Sequence, residues 1–226
     1  MEHAAISGLA TGRLLAEFSL WSAALVRLGD DIARAEPYAD LFHIDVSDGH
    51  YSSRLLFFPD LVARVREITR TPLHVHLMAE AGVLAAQIDQ FAEAGADLIS
   101  VHEMPGVALD QVFDSIDRHG KAAGLVLAPD AAPESAKPWL GRIAFLTLLG
   151  TAVGVKGKGL LPNALDRMRA ARAIAGGGVR VAADGGIRRE TVPLLRQAGA
   201  DSVVMGSLAF GSPDLAATIE WLRALN

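Results

Sequence analysis

The chain of 226 residues carries 21 Lys and Arg against 26 Asp and Glu, a net charge of −5, with 51% of its residues hydrophobic and no cysteine. That composition excludes a disordered or fibrous chain and a broadly basic nucleic-acid surface, and the lack of thiols excludes disulfides, thiolate metal sites and a cysteine nucleophile. No apolar run approaches the roughly 18 residues of a membrane span, and the opening Met1-Glu2-His3 lacks a basic region followed by an apolar one, so a cytoplasmic protein with neither nucleic-acid nor membrane partners is expected.

Short β-rich apolar runs alternate with amphipathic stretches at roughly the 25–30-residue spacing of βα units. Strands are predicted over Leu14–Trp21, Leu41–Ser47, Leu73–Met78, Leu98–His102, Ala122–Ala128, Ile143–Leu149, Val179–Ala183 and Ser202–Leu208. Between them, Pro59–Thr69 places Leu61, Val62, Val65 and Ile68 on one helical face, and Val83–Ala94 does the same with Leu84, Ile88 and Phe91. Ala94-Gly-Ala-Asp97 before the fourth strand is echoed by Ala198-Gly-Ala-Asp201 before the eighth, with Gly95 and Gly199 read as helix C-caps. An echo four units apart suits a closed eight-unit barrel, so the fold expected is an α/β, TIM-type (β/α)8 barrel forming a single domain over residues 1–226. Gly150–Gly159 holds four glycines and two lysines in ten residues and reads as a loop over a site.

In such a barrel chemistry belongs at the C-terminal strand ends. Alternation puts His43, Asp45 and Ser47 on one face of the second strand and Phe42, Ile44 and Val46 on the other, and the helix-facing side must be the apolar one. His43 and Asp45 therefore point into the lumen. His74 and His76 share a face of the third strand, and Asp184 follows the seventh. His43, Asp45, His76 and Asp184 thus make a plausible four-ligand site of two imidazoles and two carboxylates for a divalent cation such as Zn, Mn, Fe or Co. His74, two residues deeper, is expected to support His76 or to pack as a satisfied histidine.

These residues carry a resemblance to the ribulose-phosphate 3-epimerase family. The matching pieces are Ser19-Leu-Trp-Ser22, His43-Ile-Asp-Val-Ser-Asp-Gly-His50, Val75-His-Leu-Met78, Ser100-Val-His-Glu103, Asp184-Gly-Gly-Ile187 and Met205-Gly-Ser207, in family order over nearly the whole length. The resemblance implies a metal-dependent isomerase of a ketose phosphate, with His43, Asp45, His76 and Asp184 as ligands and Asp45 and Asp184 also as the acid/base pair. It further implies Ser19 as a substrate contact and Met78 as an apolar lid over an enediolate. Inverting a carbon beside a ketone needs a proton removed from one face and returned to the other, which two groups on opposite sides of a planar intermediate accomplish.

Departures cluster around the substrate's tail. The family's Pro-Gly-Phe-Gly-Gly-Gln loop after the sixth strand is replaced by a segment containing Gly154, Lys156, Gly157 and Lys158, which could still bind phosphate through backbone amides and charge. Gly185, Gly186, Gly206 and Ser207 match family positions where barrels of this type cradle phosphate, and Arg188 and Arg189 could add charge. Ser47 and Leu146 stand where the family's apolar cap has methionines, Tyr51-Ser-Ser-Arg54 replaces an aromatic followed by Val-Pro-Asn, and His74 replaces the usual aspartate. The function expected is 3-epimerisation of ribulose 5-phosphate and xylulose 5-phosphate or of a related ketose phosphate, by a homo-oligomer. The alternatives are an epimerase or isomerase of another sugar phosphate in carbohydrate catabolism and a non-catalytic sugar-phosphate-binding barrel. A lyase of a neighbouring barrel group is disfavoured, since it normally wants a lysine near the strand ends and strands two to four offer none.

Overall fold

The computed structural model describes residues 4–225. Among them, eight parallel strands follow one another around a closed barrel: β1 (Leu15–Ser19), β2 (Leu41–Ser47), β3 (Leu73–Met78), β4 (Leu98–His102), β5 (Ala122–Leu127), β6 (Phe145–Leu149), β7 (Arg180–Asp184) and β8 (Ser202–Met205), with β8 pairing back onto β1. The helices are α1 (Ala4–Ser7), α2 (Leu28–Ala35), α3 (Pro59–Ile68), α4 (Ala81–Glu93), α5 (Leu109–Arg118), α6 (Ala164–Ala175), α7 (Val192–Gln197), α8 (Ser207–Phe210) and α9 (Leu215–Arg223). Between β5 and β6 the crossover is a 3-10 segment, Pro133–Trp139, in which the interior Pro138 limits regular α-helical hydrogen bonding.

Each strand is covered on both faces, so almost every strand residue is buried. The outward positions, including Phe42, Ile44, Val46, Val75, Leu77, Leu125 and Leu146, join the apolar layer beneath the helices, where Val62, Val65, Leu84, Ile88 and Phe91 meet them. The inward positions form tiers. Leu15, Leu41, Leu98, Ala122, Phe145 and Ala182 make an apolar floor that Ile6 of α1 closes. Above the floor the lumen turns polar, with Glu17, His43, His74, Ser100 and Ser202 all buried.

The predicted β1 and β8 are too long. After Ser19 the chain turns into a 3-10 segment at Leu20–Ser22, and Gly206 leaves the extended conformation so that Ser207 opens α8. β7 is displaced by one residue, which brings Asp184 into the strand, while β5 stops at Leu127 and β6 begins at Phe145.

The repeated Ala-Gly-Ala-Asp segment has a structural cause. Gly95 and Gly199 have φ of +104° and +106°, and a Cβ on either would lie 2.6 or 2.5 Å from Cγ of Arg66 or Arg172. Those arginines pair with Asp97 and Asp201 at 2.9 and 2.5 Å, and each aspartate accepts a backbone N–H from the preceding strand, that of Leu73 or Val181. Asp40 repeats the clasp with Arg13 and the N–H of Ala16. Each clasp fixes the height of one strand against the next, and register decides which lumen side chains share a tier.

Candidate active site

Register builds the cluster. β2 and β3 pair His43 with His74 and Asp45 with His76, while β1 sets Ser19 beside His43. Asp184 ends β7 opposite Leu149 and Val204. One donor atom from each of His43, Asp45, His76 and Asp184 can be chosen so that all lie within 4.8 Å of one another. Asp45 Oδ1 is 3.4 Å from both His43 Nε2 and His76 Nδ1, and Asp184 Oδ2 is 3.9 and 3.6 Å from the same two nitrogens.

Those nitrogens, His43 Nε2 and His76 Nδ1, are buried and make no hydrogen bond. A buried imidazole nitrogen without a partner is costly, and two converging on a pair of carboxylates call for an electrophile between them. Ligands about 2.0–2.1 Å from a tetrahedral ion would be separated by roughly 3.3 Å, close to the shorter spacings here. The donor set of two nitrogens and two oxygens fits a borderline or moderately hard divalent cation. The four residues therefore fit a metal ion.

Electrostatics differ sharply across the cluster. Burial alone would raise Asp45, but the imidazoles of His43 and His76 overcome it and hold this carboxyl well below the usual range. For Asp184 burial prevails, reinforced by repulsion from Asp45, and it titrates above its ordinary value despite the attraction of His43 and His76. Ser19 Oγ donates to Asp45 Oδ2 at 2.8 Å, which leaves Oδ1 for the converging nitrogens.

Beneath and beside the cluster lie residues the sequence reading gave no role. Glu17, wholly buried, accepts from His43 Nδ1 at 3.2 Å, from His74 Nδ1 at 2.6 Å and from Ser202 Oγ at 2.6 Å. Burial would raise this carboxyl, yet the imidazoles of His74 and His43 drive it far below the normal range. His102 Nε2 lies 2.8 Å from His76 Nε2, its ring packs 5.0 Å from Tyr51, and burial with the nearby His76 pushes it well below its ordinary value, which keeps it neutral. The sequence carries a signal for both: Glu17 alternates in phase with Ser19, and His102 with Ser100, so each pair shares one face of its strand. His74 is a satisfied histidine bonded to Glu17 and Ser100, and it supports His43 through Glu17 rather than His76.

Asp45, His76 and Asp184 form the base of a cavity of roughly 180 Å³, with His43 buried behind them. Ser19, Met78, Gly154, Lys156 and Gly157 reach it, as do Gly185, Gly186, Gly206 and Ser207; Trp21, Lys158 and Arg188 complete the mouth. Leu149, not Leu146, faces the cavity, because alternation sends Leu146 outward to the helices. The 150–159 loop is tied down on several sides. Lys156 Nζ donates to Trp21 O at 2.8 Å and stands 5.5 Å from that ring; Arg188 donates to Gly157 O at 2.9 Å; Arg54 reaches Gly154 O at 3.4 Å. Arg189 instead stacks on Trp221 at 4.5 Å and is not among the cavity-lining residues. Ser47 pairs with Ser52 at 2.8 Å in the wall behind Gly154.

Comparison with known proteins agrees with this geometry. The model of the ribulose-phosphate 3-epimerase family matches residues 15–210. Ribulose-phosphate 3-epimerase 2 of Cupriavidus necator is 37% identical over 204 residues, spanning 87% of this chain and 84% of the relative, and the ribulose-phosphate 3-epimerase of Bacillus subtilis is 32% identical over 210 residues, spanning 91% and 96%. Among solved structures, orotidine 5'-phosphate decarboxylase from Pyrococcus horikoshii superposes with a TM-score of 0.66 at 15% identity over 92% of this chain and 97% of its own, a likeness of fold alone. 3-Hexulose-6-phosphate synthase gives 0.65 at 18% identity over 94% and 99%. With its barrel, its lumen cluster and these relatives taken together, the chain belongs to the ribulose-phosphate 3-epimerase family, whose named members are isomerases acting on carbohydrates.

Proposed function

We propose that this chain is a metal-dependent 3-epimerase of a ketose phosphate, interconverting ribulose 5-phosphate and xylulose 5-phosphate or a closely related pair. The observation that carries the reading is the convergence of two buried imidazole nitrogens that make no hydrogen bond on two carboxylates, at the base of a cavity with cationic walls.

A divalent cation (Zn, Mn, Fe or Co) would be held by His43, Asp45, His76 and Asp184 and would supply Lewis acidity to the substrate ketone and adjacent hydroxyl. Asp45, ionised, acts as the base that removes the proton from the carbon beside the ketone. Asp184 delivers one to the opposite face, and the two exchange roles in the reverse direction. Ser19 keeps Asp45 oriented and contacts substrate, and Met78 covers the planar enediolate with an apolar surface that keeps water from competing for the proton. Lys156, with the backbone of Gly154, Gly157, Gly185, Gly186, Gly206 and Ser207, binds the phosphate. Residues 1–226 act as one catalytic domain in this reading.

The substitution of a lysine-bearing loop for the family's Pro-Gly-Phe-Gly-Gly-Gln favours, as second reading, a ketose phosphate of different length or stereochemistry. One experiment addresses both. Metal-loaded protein incubated in heavy water with a panel of ketose phosphates and free ketoses should exchange deuterium into one phosphorylated ketose at the carbon beside the ketone and yield its epimer. Exchange with none of them would overturn the reading, and carbon–carbon cleavage would replace it with a lyase.

A further inference from the structure

We infer that Glu17 is the positioning residue for the metal ligand His43, with His74 as its brace, so that the carboxylate supporting the metal site comes from β1. The inference rests on the reading of the His43, Asp45, His76 and Asp184 cluster as a cation site.

Glu17 is wholly buried and is not among the residues that line the cavity, so it has no access to substrate. A carboxylate in that position costs several kcal/mol of desolvation unless its hydrogen bonds are complete. They are complete and directional. One oxygen accepts from His43 Nδ1 at 3.2 Å and His74 Nδ1 at 2.6 Å, and the other from Ser202 Oγ at 2.6 Å. With His43 Nδ1–H committed to Glu17, the lone pair of Nε2 is turned upward to Asp45 and Asp184, the tautomer a ligand needs. His74 cannot itself hold His43, because its Nδ1 is bound to Glu17 and its Nε2 meets Ser100 Oγ at 2.7 Å. Its ring packs edge-on against that of His43, with centroids 4.7 Å apart, and ties the Glu17 arrangement to β4.

The same register suggests an exchange of acids. His74 is the direct neighbour of His43 on β3 and stands where the family pattern has an aspartate, while Glu17 approaches His43 from the other side, on β1. In this chain the acid that meets His43 Nδ1 stands on β1, and position 74 supplies a hydrogen-bond donor to it.

Binding of Co(II) alone to Glu17→Gln and to the double variant Glu17→Ala/His74→Asp, read by chelator competition and by the visible absorption of the bound ion, tests this. Glu17→Gln should bind about 10- to 100-fold more weakly with an altered band, while the double variant, with a carboxylate restored on β3, should recover affinity to within about threefold of the parent chain. Parental affinity and spectrum in Glu17→Gln overturn the inference. Should Glu17→Gln not fold, the double variant decides: recovered affinity supports the inference and a tenfold or greater loss overturns it. Failure of the parent chain to bind Co(II) overturns the cation site as well, whereas parental binding by Glu17→Gln leaves that reading standing and removes this one alone.

Discussion

Ser19 and Asp45 divide the work of one carboxylate: Ser19 Oγ donates to Oδ2 at 2.8 Å, while Oδ1 stands 3.4 Å from both His43 Nε2 and His76 Nδ1. A hydrogen bond to a charged group is worth about 1.5–3 kcal/mol, and about 1.4 kcal/mol is a tenfold change in rate. Ser19→Ala should therefore lower kcat by roughly ten- to a hundredfold through a misdirected base, with KM changed by less than about threefold. Steady-state kinetics separates the cases: a rise in KM at constant kcat would make Ser19 a substrate contact only.

The two aspartates should fail in complementary ways. Asp45→Asn and Asp184→Asn should each reduce epimerisation by at least about a thousandfold, in line with the loss of a proton-transfer group and a ligand oxygen, while circular dichroism remains that of the parent. The remaining acid still faces one side of the substrate carbon. Each variant is thus expected to exchange the proton of one epimer with heavy water and not that of the other, with the preference reversed between the two variants. Exchange of both epimers by either variant would show that one base serves both faces.

The barrel was readable in the sequence because parallel strands covered on both faces leave uninterrupted apolar runs, and β2, β3 and β4 fall where those runs begin and end. β1 and β8 were overextended because apolar character does not report a turn: Leu20 and Leu208 continue the pattern after the backbone has left the sheet. His43, Asp45 and His76 emerge from alternation, since a polar residue on an inward face has nowhere to go but the lumen, whereas Asp184 falls just past the predicted seventh strand and joins them through the one-residue shift of β7. The role of Glu17 is not legible in the sequence because a single acid within Leu15-Ala-Glu-Phe-Ser19 has no sequence-local partner; its bonds reach β2, β3 and β8, between 26 and 185 residues away. Leu146 and Leu149 show the same limit, because two leucines three residues apart differ in role only once the phase of β6 is fixed.

Metal removal should be visible in stability as well as in turnover. A ligand that binds only the folded chain, present at a hundred times its Kd, adds about 2.7 kcal/mol, and about 1 kcal/mol moves the Tm of a chain this size by roughly 2–4 °C. Dialysis against a chelator should abolish epimerisation and lower Tm by about 5–10 °C, and a divalent ion should restore both. Full turnover in a preparation verified as metal-free would reject the cation site.

Lys156 occupies a defined position, its ammonium held by the carbonyl and ring of Trp21, and partial burial lowers its proton affinity against the opposing pull of Asp45. If it reads the substrate phosphate, Lys156→Ala should raise KM for the phosphorylated ketose by about ten- to a hundredfold, the worth of a charge-assisted hydrogen bond. Any turnover of the free ketose should stay unchanged. Lys158→Ala should have a smaller effect, because its ammonium, equally exposed, has among the described residues no hydrogen bond or ring contact like those that hold Lys156 in place. Equal KM for parent and Lys156→Ala would reduce the loop to a wall of the cavity.

Gly124 on β5 tests how tightly the polar tier is packed. It pairs with Ser100 in register, and a Cβ there would collide with Ser100 Oγ, the atom that meets His74 Nε2. Gly124→Ala must therefore rotate Ser100 and break that bond or push β4 and β5 apart. Overpacking of this kind costs about 1–3 kcal/mol, so thermal unfolding should show Tm lower by roughly 2–12 °C. Combining Gly124→Ala with Ser100→Ala removes the colliding oxygen, and the two destabilisations should sum to more than that of the double variant. Strict additivity would mean that the tier relaxes around the new methyl group and that Ser100 does not hold His74 in place.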